Sequence, residues 1–77
     1  MSLCDIEIDD KVIIKSVESS KNIKRRLLDM GLIEGTCVEC VLKSMFNDPK
    51  AYLVRGTIIS IRNEDSKYIM VEKIWKK

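Results

Sequence analysis

Two of the three cysteines stand as Cys37-Val38-Glu39-Cys40, a C-x-x-C string of the kind that holds zinc or cycles a disulfide. Both chemistries need the two sulfurs on a turn or a helix start, where they converge on one point. Here the string lies inside the β-branched run TCVECVLK, and residues three apart on a strand face opposite ways. No second pair completes four ligands, so these cysteines read as structural. The sequence contains no histidine, which removes the commonest general base and the commonest neutral metal ligand and leaves a cysteine nucleophile without its usual activator. In the acidic stretch DIEIDD, an extended backbone would put Asp5, Glu7 and Asp9 on one face, where they could attract a hard cation or form a solvated edge. Arg25 and Arg26 are the remaining candidates. An arginine supplied in trans stabilises phosphoryl-transfer charge, whereas an Arg25–Asp29 i, i+4 pair would contribute only roughly 0.2–0.5 kcal/mol. These residues argue against an enzyme and supply no catalytic, cofactor or metal set.

The elements that must carry these residues are short. KVIIKSV (11–17) is β-branched and reads as a first strand. Ser19 and Ser20 offer oxygens to cap a helix, and from Asn22 to Met30 the period turns helical, with Ile23, Leu27 and Met30 on one face. Nine residues do not hold a helix in water without packing. Gly31 suits the left-handed position just past the helix, with Leu27 and Leu32 as the hydrophobic pair of a Schellman end. Gly35 permits a second turn into the strand 36–43, which would place Val38, Cys40 and Leu42 on one face. FNDP (46–49) is a turn. KAYLVR and TIISIR are strands separated by Gly56, NEDSK is a polar or single helical turn with Asn63 as its cap, and YIMVEKI is a fifth strand. Five closely spaced strands with one helix after the first predict a mainly β fold, a small barrel whose closure hides strand edges, with an open sheet under the helix as the alternative. Met45, Phe46 and Trp75 read either as core lids or as exposed docking residues; a core this small is expected to bury at least one of them.

Composition sets the class. The 77 residues carry 45% hydrophobic and 34% charged side chains, the balance of one globular domain. An odd cysteine count and the lack of an apolar leader run imply a reducing, cytoplasmic setting. A formal charge of +2 is too small to argue for nucleic acid, although basic residues gather at Lys21-Lys24-Arg25-Arg26 and at Lys73-Lys76-Lys77.

The segment RRLLDMGLIEGTCVEC, through Arg26, Leu27, Met30, Gly31, Leu32, Gly35, Thr36 and Val38, resembles the FeoA family of bacterial ferrous iron transport. NDPKAYLVRGTIISIR resembles that family's Asp-Pro turn and Arg-Gly hairpin, through Asp48, Pro49, Arg55, Gly56, Ile61 and Arg62. The likeness runs from about Leu3 to Ile74. The chain departs from the family pattern at IDDK, at Glu34 and at Asn47, which stand where proline or glycine is common. The resemblance implies an SH3-like barrel acting without cofactor as a cytosolic accessory module that binds the cytosolic part of the FeoB transporter. Arg25, Arg26 and the Met45, Phe46, Asn47 and Asp48 turn are then the candidate contacts. The alternatives are a small nucleic-acid-binding barrel, or a stand-alone metal-sensing relative of the C-terminal module of iron-dependent repressors.

Overall fold

Its β-branched residues make β1, Lys11–Val17, a strand, with the alternate residues Val12 and Ile14 fully buried. In the computed structural model, which describes residues 1–46 and 48–74, β1 leads into α1, Lys21–Asp29. Asn47 and Trp75, two of the candidates above, lie outside the described residues. Ser20 Oγ accepts the Ile23 N–H at 3.5 Å and caps the helix. The far end is the expected Schellman turn: Gly31, at φ 89°, donates to Leu28 at 2.9 Å while Leu32 donates to Leu27 at 3.0 Å. Leu27 and Leu32 are both fully buried, and Ile23 and Met30 pack half-buried against the same core.

β2 (Cys37–Lys43), β3 (Lys50–Val54), β4 (Thr57–Ile61) and β5 (Ile69–Lys73) complete one antiparallel sheet in the order β4-β3-β2-β1-β5. A single helical turn, α2 (Asn63–Ser66), carries the chain from β4 to β5. Bulges between Ile14 and Ser16 and between Cys40 and Leu42 bend the two middle strands over the core. Among the described residues no ladder joins β4 to β5, so strand closure does not hide every edge.

Three local expectations are corrected. Leu42 does not join Val38 and Cys40 inside; it is 60% exposed, because the bulge after Cys40 breaks the alternation. DIEIDD is not extended: Leu3–Asp5 is a 3-10 turn, and Asp9 sits at φ 76° in a second turn. The acidic side chains make those turns, Asp5 accepting the Ser2 N–H at 3.1 Å and Asp10 the Glu7 N–H at 2.9 Å. Asn63 does not cap α2; Arg62 holds that position and Asn63 is the first helical residue.

The inner face of β3 fixes the segments that cover the sheet. Lys50, buried to 5% exposure, donates its ammonium to the carbonyls of Cys4 and of Ile6, the latter at 3.4 Å. Tyr52 is fully buried and donates to the Leu3 carbonyl at 3.4 Å. Burial pushes the Tyr52 phenol well above its ordinary 10.0. The folded state thus holds that proton more tightly than the unfolded chain does. The contribution is complete below pH 10.0 and is lost as pH rises further. Urea unfolding should therefore show stability falling above that pH, and Tyr52→Phe should lose about 1 kcal/mol at neutral pH but decline less steeply on the alkaline side.

Candidate functional site

The expected contact residues lie on two features, and α2 links them. Arg26 reaches from α1 to Asp65 with Nη2–Oδ2 at 3.2 Å, rather than resting only at the core margin. The guanidinium is 67% exposed, so this is a surface pair of about 0.2–1 kcal/mol. In the β2–β3 turn, Asp48 donates its N–H to Ser44 Oγ at 2.9 Å, and its carboxylate accepts the Asn63 N–H at 2.9 Å. Asp48 therefore satisfies an otherwise open donor of α2 from fifteen residues upstream.

Arg25 points elsewhere. It shares the outer side of α1 with Lys21, Lys24 and Leu28 and forms no ion pair with Asp29 or any other described residue. Successive helix positions are about 100° apart, so the two arginines serve different surfaces. Met45 and Phe46 are 89% and 83% exposed, so neither is a core lid.

Sequence reasoning missed an open cleft of about 610 Å³ between α1, the end of β4 and α2. Ile23, Met30 and Tyr68 contribute its apolar surface, with Arg26, Arg62 and Lys67 among its polar lining. Of these cations only Arg26 is an expected contact. Arg62 and Lys67 flank NEDS in the sequence, but nothing local says that NEDS folds against the helix.

The cysteines behave as strand geometry requires: Cys37 is exposed, Cys40 buried, and both are free thiols. Burial pushes the Cys40 thiol up, away from the reactive thiolate. The Lys43 ammonium donates to Glu7 and holds that carboxyl below its ordinary value. Among the described residues no three Cys, Asp or Glu side chains gather as a metal site, and no helix is long and apolar enough to cross a membrane.

A five-stranded antiparallel sheet bent over one core, with a short helix between β1 and β2, is the architecture of a small SH3-like domain. A crystal structure of FeoA from Stenotrophomonas maltophilia complexed with zinc, described as a prokaryotic SH3 domain protein, superposes with a TM-score of 0.83 at 25% identity, over 94% of this chain and 89% of that one. The FeoA domain model matches residues 1–73, and the chain belongs to the FeoA family. The solution structure of a FeoA-like protein from Clostridium acetobutylicum is 30% identical, with a TM-score of 0.92 over 100% of this chain and 90% of that one. A curated relative from Porphyromonas gingivalis, an Fe(2+) transport protein A/Fe(2+) transporter FeoB fusion protein, is 31% identical over 74 residues. The match covers 96% of this chain but only 9% of that protein.

The links through α2 differ in strength. Asp48→Ala, which leaves the Asn63 N–H without its carboxylate, should cost about 1 kcal/mol in urea unfolding. Arg26→Ala should cost less than Asp48→Ala, toward the low end of about 0.2–1 kcal/mol, and equal losses would contradict this ranking.

Proposed function

We propose that this chain is a non-enzymatic accessory domain of bacterial ferrous iron transport. It works in the cytoplasm by binding the cytosolic, GTPase-containing part of a FeoB transporter and supports that transporter's assembly or activity. The observation that carries this reading is the Porphyromonas gingivalis relative, named as a fusion of transport protein A with FeoB. Joining two modules in one polypeptide replaces their encounter by an intramolecular one at high effective concentration. Such a fusion is useful where the modules act on each other.

The proposed contacts are Arg25 and Arg26 on α1 and the turn of Met45, Phe46, Asn47 and Asp48. Phe46 and Met45 present large, exposed apolar side chains, the type that anchors protein interfaces when a partner removes them from water. Arg25, having no ion pair among the described residues, is free to meet a partner carboxylate.

The test is an amide NMR titration of the labelled chain with the soluble GTPase domain of its cognate transporter, with and without a GTP analogue. Shifts on α1 and around Phe46 are expected, with about ten-fold weaker binding for Phe46→Ala, the size of an interface anchor's loss. Weaker binding is also expected for Arg25→Ala and Arg26→Ala. Unchanged affinity in all three folded variants would refute this surface, and an unperturbed spectrum at high partner concentration would refute direct binding to that domain.

A further inference from the structure

β4 is an edge strand that no described segment covers. The turn at Arg55 and Gly56, with φ of 52° and 81°, is a two-residue hairpin of the type I′ kind. Val54 and Thr57 then exchange both hydrogen bonds, and the paired register repeats that arrangement at Tyr52 with Ile59 and Lys50 with Ile61. Ile58 and Ser60 consequently turn their N–H and C=O groups away from β3. Neither residue enters any of the turn, loop or cap hydrogen bonds among the described residues.

The opposite edge of the sheet is treated differently. There Val71 donates to the Met1 carbonyl at 2.8 Å and Ser2 bridges to Met70, so the N-terminal segment lies along β5. Thr57–Ile61 has no such cover and contains no charge, proline or bulge of the kind that blunts an edge. Ile58 is 62% exposed on it.

The surroundings of β4 select what can pair there. The cleft that includes Ser60 and Ile61 offers the apolar side chains of Ile23, Met30 and Tyr68. Its two carboxylates are already engaged, Asp65 with Arg26 at 3.2 Å and Glu64 with Arg62 at 3.6 Å. Arg55, at the start of β4, has no ion pair with a described residue. Neither has Lys67, beyond its end, whose ammonium rests 5.2 Å from the centre of the Tyr68 ring. An uncharged edge is thus bracketed by positive charge. A second copy of this chain paired antiparallel along β4, Ile58 against Ser60 of its mate, would set Gly56 opposite Arg62 and bring Arg55 next to that like charge, which opposes pairing.

We propose that β4 is a docking edge for an extended segment of a partner protein that alternates apolar residues and carries a carboxylate at each end. The segment adds as a sixth strand. Its main chain pairs with the outward N–H and C=O groups of Ile58 and Ser60, its core-facing side chains enter the cleft, and its carboxylates meet Arg55 and Lys67. This edge is distinct from the Arg25 and Met45–Asp48 contacts, shares Arg26 with the α1 surface at the rim of the cleft, and holds for a partner of this chemistry whatever its identity.

The test uses the whole labelled chain and two capped synthetic peptides, EVTVTVE and its lysine-flanked counterpart KVTVTVK. The acidic peptide should shift the Ile58 and Ser60 amides and slow their exchange, and the lysine-flanked one should bind at least about ten-fold more weakly. Ser60→Pro removes an outward N–H without touching the β3 ladder and should abolish binding. Ile58→Asp places a carboxylate on the edge, which repels the acidic peptide and should weaken its binding, serving if the proline variant does not fold. The proposal is overturned if Ile58 and Ser60 do not move at millimolar acidic peptide, if the shifts fall only on α1, or if both peptides bind alike. It is equally overturned if sedimentation shows a dimer that Ser60→Pro dissociates, since the edge would then pair with itself.

Discussion

Three alternate side chains on one face of β3 hold most of the molecule together. Lys50 fixes the N-terminal turn through the Cys4 and Ile6 carbonyls, and Tyr52 ties Leu3 to the centre of the sheet. Val54 lies against the helix end, its Cγ1 4.0 Å from where a Cβ on Gly31 would sit. A sheet this small has one buried face and cannot cover it with strands alone. The 3-10 turn, α1 and α2 have to supply the cover, and each is short enough to need the sheet for its own stability. A buried ammonium bonded to carbonyls is costly to desolvate unless it is fully satisfied, so Lys50 defines where the N-terminal segment sits.

Two consequences reach the surface. Drawing the N-terminal segment to the β5 side protects that edge and leaves β4 bare. Drawing α2 against α1 and the β2–β3 turn, through Asp65 and Asp48, spends two carboxylates inside the domain. Lys21, Lys24 and Arg25 on the helix, Arg55 at the hairpin and Lys67 at the cleft have no ion pair among the described residues. The Cys40 thiol lies inside this fold, and burial raises its pKa.

The parts legible in the sequence were those fixed by neighbours in the chain. The spacing of Ile23, Leu27 and Met30 and the position of Gly31 located the helix and its reversal, and strand alternation put Cys37 and Cys40 on opposite faces. The parts that were not legible depend on distant partners or on irregular backbone. Lys50 looks like a polar strand flank, and its burial depends on carbonyls 44 and 46 residues away. Arg26 finds Asp65, 39 residues on, where local periodicity could only offer Arg25 the nearby Asp29. The bulge after Cys40 has no glycine to announce it, so Leu42 was placed on the wrong face. The cleft needs α1, β4 and α2 together, and no single stretch of sequence contains it.

Hydrogen exchange along β4 of the free chain tests most directly whether the fold covers one edge and leaves the other open. The Thr57, Ile59 and Ile61 amides, turned into the ladder, and Val71, bonded to the N-terminal segment, should exchange slowly. Ile58 and Ser60 should exchange at rates close to those of an unfolded chain. Protection of Ile58 and Ser60 equal to that of Ile59 would show the edge to be closed and would contradict the account.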